Sequence, residues 1–260
     1  MKLPQALVRA REAARRFNPS ALHPHVFDPK ASAWKTGLYA KQTDDAGAAE
    51  LYVYEQIGED FWTGGGVTAK SVAEALKKLD GAKTLAVYIN SPGGDAFEGL
   101  AIYEQLKRCK AEVTCYVDGI AASAASVVAM GGKRCVMAPA ATMMVHKAWS
   151  IALGNSDDMR AMADVLDTLD QSIAAVYCEK TGKSREECLA MMAGASKGDD
   201  GTWMTADEAV AAGLADEVSR VDSDGDDDGD KKPDGPGNLV RLAAQTQRRI
   251  AAARLTAAKT

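Results

Sequence analysis

Apolar and polar positions in the first half of the chain predict strands that alternate with helices. Residues 50–57 alternate as a half-buried strand would, while 84–89 and 113–117 are continuous apolar runs typical of strands covered on both faces. Helical spacing at 68–79 and 96–108 follows the first two of these strands. This order indicates an α/β domain with a largely parallel sheet.

The second half of the chain continues the pattern and adds one long helix. Short strands are predicted at 134–138 and 142–146, a helix at 156–180, a smaller helix at 185–193, and a capping box at 205–208. The long helix carries an apolar seam in alternating steps of three and four: Met159, Met162, Leu166, Leu169, Ile173 and Val176. Such a seam fits a partner helix as well as the helix's own core.

Composition divides the 260 residues into four parts. Residues 1–49 are basic near their start and weakly patterned, and 50–220 carry the strand and helix signals. An Asp/Gly-rich linker is expected at 221–238, followed by a basic, helix-compatible tail at 239–260. Asp224 begins a stretch like a calcium loop, but a glycine occupies its twelfth position, so a plain acidic linker is the favoured interpretation.

Charge and cysteine content exclude several function classes. The net charge is −5, which argues against nucleic acid as a partner. The five cysteines are scattered without metal-site or redox spacing, which favours free thiols in a reducing compartment and no metal. No signal peptide and no apolar window of membrane-spanning length is present, so we expect a cytoplasmic protein without a membrane partner.

Two serines in residues 118–132 (DGIAASAASVVAMGG) raise the first chemical question. A turn at Asp118-Gly119 and a helix from about Ala121 would place Ser123 in the first helical turn, where free N–H groups could hold an oxyanion. Ser126 lies one turn deeper and is expected to be a small buried residue. On this stretch alone, simple close packing of small residues is the favoured interpretation.

A glycine turn and a histidine complete the candidate chemistry. The segment 89–95 (INSPGGD) follows a buried strand, and its paired glycines let backbone N–H groups face a ligand. His146 ends an apolar strand and is the single histidine of the predicted domain, since His23 and His25 precede it. A serine at a helix start and a histidine at a strand end can form a nucleophile–base pair.

These segments together resemble the Clp protease proteolytic subunit family, ClpP. The resemblance is carried by YINSPGGDAFEGLAIYEQLK, VDGIAASAAS, MMVHKA and WMTADEAVAAGLADEV, in the family's order, and it covers about residues 50–220. It implies an α/β, ClpP/crotonase-like fold: a parallel β-sheet spiral flanked by helices, with a protruding handle helix at 156–180. The closest likeness is to the ClpP-like head maturation, or prohead, proteases of tailed phages.

The resemblance assigns roles to four residues. Ser123 would be the nucleophile and His146 the general base. The backbone N–H groups of Gly94 and Ala124 would form the oxyanion hole. No metal and no cofactor is implied.

The acidic member of the triad is less clear from the resemblance. The family carries an acidic residue two positions before the aromatic that corresponds to Trp203, and here that position is Gly201. The nearest acids are Asp200 and Asp199. Asp200 is the expected acid because it lies nearer, and Asp199 is its competitor.

The implied function is a serine endopeptidase that forms a homo-oligomer, heptameric rings or stacked rings in the family. The phage likeness favours head maturation: cleavage of scaffold or capsid protein, with capsid or portal proteins as partners, in the host cytoplasm or an assembling head. One alternative is the proteolytic subunit of an ATP-dependent Clp protease that works with an AAA+ unfoldase. The others are an inactive assembly protein of this fold and a coenzyme A-binding crotonase.

Overall fold

Eight strands form one mixed sheet in this computed structural model, which describes residues 38–42, 47–59, 65–194 and 201–219. The strands are β1 (Leu38–Gln42), β2 (Ala48–Val53), β3 (Thr84–Ser91), β4 (Glu112–Ala122), β5 (Arg134–Met137), β6 (Thr142–Val145), β7 (Thr202–Thr205) and β8 (Glu217–Val218). Their order is β1-β2-β3-β4-β5-β8, and β6 pairs with both β4 and β7.

The sheet is parallel apart from two pairs of strands. β2, β3, β4, β5 and β8 run parallel, and β6 runs parallel to β4. β1 is antiparallel to β2, and β7 is antiparallel to β6. The largely parallel α/β sheet agrees with the sequence expectation, because helices link the consecutive parallel strands β2, β3 and β4.

Six helices accompany the sheet in the described part of the chain. They are α1 (Ala69–Lys78), α2 (Ala96–Lys107), α3 (Ala124–Ala129), α4 (Ser156–Thr181), α5 (Arg185–Ala193) and α6 (Ala206–Ala212). Their ends follow local caps. Thr68 caps α1 through the Ser71 N–H, Thr205 and Glu208 form the capping box of α6, and Gly182 ends α4 in the left-handed conformation.

The start of the segment 118–132, which carries Ser123, differs from the sequence expectation. The predicted turn at Asp118-Gly119 and the helix start near Ala121 are both wrong, because β4 continues through them to Ala122. The second half of β4 finds a new partner in β6, where Ile120 pairs with Thr142, and this ladder keeps the backbone extended. The helix therefore begins at Ala124, with Ser123 at its N-cap position.

Two further strands carried no clear sequence signal. β1 lies within residues 1–49, where the sequence pattern predicts little regular structure, and β2 already begins at Ala48. β1 is an edge strand with mostly exposed side chains, so it lacks a buried apolar run. β7 is four residues long and half of it is exposed. The rest of residues 1–49, the linker 221–238 and the tail 239–260 lie outside the described residues.

The core lies between the sheet and the helices. Leu51, Val87 and Cys115 of adjacent strands pack with Ile102 and Leu106 of α2, and all five are at most 1% exposed. These residues belong to the hydrophobic cluster that joins α2 to the sheet.

The apolar seam of α4 serves its own domain in the second half of the helix. Leu169, Ile173 and Val176 belong to the core, whereas Met159 in the first turn is exposed. The partner-helix hypothesis therefore concerns only the first turns of α4. No helix in the described ranges is both long and apolar enough to span a bilayer.

Candidate active site

Ser123 lies at the junction of β4 and α3 in a backbone conformation that residues other than glycine rarely adopt. Its φ is 54° and its ψ is −127°, and it is the single non-glycine residue with positive φ among those described. Its N–H donates to the Met144 carbonyl at 2.9 Å, which ties the junction to β6. Positive φ at a non-glycine residue costs of order 1–3 kcal/mol and is concentrated at functional sites.

His146 reaches Ser123 because β4 and β6 are parallel neighbours. Ala122 pairs with Met144, so the residues just beyond these two strands lie at the same edge of the sheet. The His146 Nε2 atom is 2.6 Å from the Ser123 Oγ atom, a hydrogen bond. The structure thus brings together the serine and the histidine that the sequence singled out.

The glycine turn after β3 packs directly against the serine. A Cβ atom at Gly93 would lie 2.5 Å from the Ala122 carbonyl oxygen and 2.6 Å from the Ser123 Cβ atom, so only glycine fits. The Ser91 hydroxyl holds the turn: it donates to the Glu55 carbonyl at 2.5 Å and accepts the Gly93 N–H at 3.2 Å.

Gly94 and Ala124 supply the two candidate oxyanion donors. Gly94 lies beside Ile57 in an isolated parallel bridge, and Ala124 is the first residue of α3. Within the described ranges, no backbone carbonyl accepts the N–H of either residue. The first N–H groups of a helix lack intrahelical acceptors, which leaves the Ala124 donor available to a ligand.

Gly201 occupies the place where the family resemblance would put an acidic residue. A Cβ atom there would lie 2.2 Å from the Val145 carbonyl oxygen and 2.4 Å from the His146 Cβ atom, and φ is +95°. This backbone leaves no room for a carboxyl side chain at position 201. Asp199 and Asp200 lie outside the described residues.

A buried carboxylate near His146 was not singled out from the sequence. Asp170 of α4 is 5% exposed and accepts the Ala148 N–H at 2.7 Å, two residues after His146. Burial raises the pKa of its carboxyl, whereas the Ala148 N–H, the Lys147 ammonium and the charge of His146 lower that pKa. The sequence signal that could have indicated Asp170 is its position directly after Leu169, a residue of the apolar seam.

A groove of about 730 Å³ runs past the serine and the histidine. The glycine turn forms one part of its lining and α4 another, and exposed aromatic side chains stand along it: Phe97, Trp149 and Trp203. Concave, largely apolar sites with a few polar groups are typical ligand-binding sites. Across the described ranges, no cluster of three His, Cys, Asp or Glu side chains could hold a metal ion.

The pair can perform nucleophilic chemistry. A histidine nitrogen at hydrogen-bond distance from a serine hydroxyl can accept its proton as the oxygen attacks a carbonyl carbon. The free N–H of Ala124 follows the nucleophile directly in the chain, where it can stabilise the resulting oxyanion.

Comparison with known proteins agrees with this geometry. The family model described as Clp protease matches residues 66–222. An ATP-dependent Clp protease proteolytic subunit of Bacteroides fragilis is 32% identical over 146 residues, covering 55% of this chain and 67% of the relative. Proteolytic subunit 1 of the ATP-dependent Clp protease of Chlamydia abortus is 36% identical over 164 residues, covering 58% of this chain and 81% of the relative.

A solved structure shares the fold. A single-substitution variant of ClpP1 from Listeria monocytogenes superposes with a TM-score of 0.54 at 20% sequence identity. The match covers 68% of this chain and 94% of that one. The expected ClpP-type fold is therefore confirmed.

Proposed function

The chain belongs to the Clp protease family, and on that premise we propose that it is a serine endopeptidase with Ser123 as nucleophile and His146 as general base. The observation that carries the proposal is the 2.6 Å contact between Ser123 Oγ and His146 Nε2 at the floor of an open groove. The relatives described above are named as proteolytic subunits, which supports a protein or peptide substrate.

The reaction follows the two-step serine mechanism. The Ser123 oxygen attacks the scissile carbonyl while His146 takes the hydroxyl proton, and that proton then passes to the leaving amine. Water, activated by His146, hydrolyses the acyl-enzyme and regenerates the serine. The N–H groups of Gly94 and Ala124 bind the oxyanion in both steps, and each donor contributes about 3 kcal/mol of barrier lowering. The mechanism needs no cofactor.

Asp200 is the acid in this proposal, and Asp199 is its competitor. Support comes from Gly201, whose backbone packs against His146, and from the sequence, in which Asp200 directly precedes Gly201. Its role is to hold the imidazole tautomer and stabilise the imidazolium. Asp200→Asn is expected to reduce kcat by several powers of ten with little change in KM. A comparable loss in Asp199→Asn, with Asp200→Asn active, would transfer the role.

We further propose assembly into rings and cooperation with an AAA+ unfoldase. The names of the relatives describe ATP-dependent subunits, so they favour this function over the head maturation role that the phage likeness suggested. Exposed Met159 and Trp149, at and before the first turn of α4, offer apolar surface for a second copy. Degradation of a folded substrate only when an unfoldase and ATP are added would support the proposal. If only unfolded peptides are degraded even with the unfoldase and ATP present, the proposal is contradicted.

Head maturation is the second candidate, and composition supports it. The Asp-rich stretch at 221–238 and the basic stretch at 239–260 follow the protease domain in the sequence, and such an extension could tether the protease inside an assembling capsid. Deletion of residues 222–260 is expected to abolish incorporation into heads. Unchanged incorporation would remove the support for this function.

A labelling experiment tests the enzyme class directly. Given long enough to react to completion, a fluorophosphonate probe should label the wild-type chain and Ser126→Ala, and should not label Ser123→Ala. Absence of label on the folded wild-type chain would instead support an inactive assembly protein or a coenzyme A-binding crotonase. Mass spectrometry of the labelled peptide identifies the modified serine.

A further inference from the structure

A chain of buried hydrogen bonds runs from α4 to the carbonyl of the candidate nucleophile. The Ser126 hydroxyl lies 2.6 Å from the Ser123 carbonyl oxygen and 2.8 Å from the Tyr177 hydroxyl. Ser126 and Tyr177 are 0% and 1% exposed. Ser126, expected from the sequence to be only a small helical residue, thus makes two side-chain hydrogen bonds beneath the site.

The direction of each bond follows from the donors available. A carbonyl oxygen can only accept, so the Ser126 hydroxyl donates its one proton to Ser123. The bond between Ser126 and Tyr177 must then be donated by the Tyr177 phenol. Burial raises the pKa of that phenol, so it keeps its proton at all working pH values. The chain therefore has a single direction, from Tyr177 through Ser126 to Ser123.

Holding the Ser123 carbonyl also fixes the next N–H group. The Ser123 carbonyl and the Ala124 N–H belong to one peptide unit, which is planar and trans, so the N–H points opposite to the oxygen. The Ser126 N–H donates to the same carbonyl at 3.0 Å, so this oxygen receives two bonds from one residue. The orientation of the Ala124 donor is set by these bonds.

The backbone at this junction needs such support. Ser123 has φ 54°, a conformation that relaxes to a more common one unless its surroundings prevent it. Gly93 packs on one side of the junction, and the Ser126 and Tyr177 hydroxyls anchor it from the core side.

We propose that Tyr177 and Ser126 are positioning residues that hold the Ser123–Ala124 peptide in the orientation required for the oxyanion hole. This inference rests on the proposed serine peptidase function. It assigns to α4 a role in catalysis in addition to its packing.

The test compares Ser126→Ala and Tyr177→Phe with matched controls that lose the same atoms elsewhere. Tyr103→Phe removes a hydroxyl bonded to Glu179 at 2.7 Å, and Ser172→Ala removes a hydroxyl bonded to the Thr168 carbonyl. Peptide hydrolysis and the rate of fluorophosphonate labelling are measured at a temperature well below every melting transition, so that all variants are folded.

We expect kcat and the labelling rate to fall about tenfold in Ser126→Ala and about threefold in Tyr177→Phe, less than complete loss of an oxyanion donor. KM should stay within twofold, because the donor acts on the transition state. In the Ser126→Ala background, Tyr177→Phe should cause no further loss of kcat. It should raise the melting temperature, because it removes a buried hydroxyl that lost its partner.

Three outcomes overturn the inference. They are a kcat in either variant equal to that of its control, additive losses in the double variant, and losses that appear in KM alone. If Ser126→Ala does not fold, Tyr177→Phe against Tyr103→Phe decides the question. If the wild-type chain is not labelled at Ser123, the proposed function is refuted. If the wild-type chain is labelled and the Ser126 and Tyr177 variants are labelled at the same rate, only the positioning role is refuted.

Discussion

Replacing Gly93 by alanine should damage the site far more than the same replacement at Gly81. Both glycines have nearly the same backbone, with φ of +94° and +93°. A Cβ atom at Gly81 meets nothing within 4 Å, whereas at Gly93 it lies 2.5 Å from the Ala122 carbonyl oxygen and 2.9 Å from the Ala124 nitrogen. The two alanine variants therefore share the penalty of a positive φ, and only Gly93→Ala adds a steric clash.

The magnitude follows from these distances. The positive φ costs of order 1–3 kcal/mol in both variants. Contacts of a Cβ atom below 3.0 Å essentially never occur, so the backbone at Gly93→Ala must shift by about 0.5 Å or more. Overpacking of this kind costs about 1–3 kcal/mol further, which lowers the melting temperature by roughly 2–12 °C relative to Gly81→Ala.

Catalysis should suffer more than stability, because the shift moves Ser123 and the Ala124 donor. A displacement of about 1 Å at an active site costs roughly 100-fold, so we expect Gly93→Ala to lose about 10- to 100-fold in kcat. Gly81→Ala should retain nearly full activity.

Thermal melting followed by circular dichroism and hydrolysis of a fluorogenic peptide check both quantities. The reasoning is refuted if Gly93→Ala melts with Gly81→Ala and keeps more than half of the wild-type kcat. Equal loss of activity in both variants would show that the φ penalty, rather than the clash, governs the site.

Three other predictions concern charge, pH and thiol reactivity. Burial raises the pKa of the Asp170 carboxyl, so its ionisation opposes folding. Relative to wild type, Asp170→Asn should therefore gain stability in urea denaturation as pH rises from the ordinary aspartate pKa of about 4 through the raised pKa, and a steady loss would contradict this. Lys107→Ala removes an exposed ion pair to Glu179 and should change the free energy of unfolding by less than about 1 kcal/mol; a loss above 2 kcal/mol would be inconsistent with solvent screening. Burial raises the pKa of the Cys135 thiol to about 12, whereas Cys109 is partly exposed. Peptide mapping after maleimide treatment at pH 7.5 should therefore find Cys109 modified and Cys135 intact, and early modification of Cys135 would count against the fold.

Helix ends were predictable because their signals are local. Thr68, Gly182 and Thr205 each satisfy or terminate backbone groups within four residues, and the structure places a helix boundary at each. The strand β4 was only half predictable. Gly119 follows an aspartate and indicates a turn, but pairing of the following residues with β6, more than twenty positions away, keeps it in a strand.

The candidate site was predictable as a set of parts and less so as an arrangement. The order of the serine, histidine and glycine segments indicated which residues meet, and Ser123 and His146 are in contact. The positive φ of Ser123 arises where a strand and a helix join, and the residue types there do not predict it. Asp170 and Tyr177 reach the site through the packing of α4, which periodicity alone does not specify.

The shared strand β4 bears on how such an enzyme survives its own activity. Along one edge it pairs with β3, and along the other it pairs first with β5 at Thr114–Val117 and then with β6 at Ile120–Ala122. A peptide bond is cut only when its segment opens and becomes extended in another active site. Cleavage of β4 would require three neighbouring strands to separate together. The segment that carries the candidate nucleophile is thereby among the parts of the chain best protected from autoproteolysis.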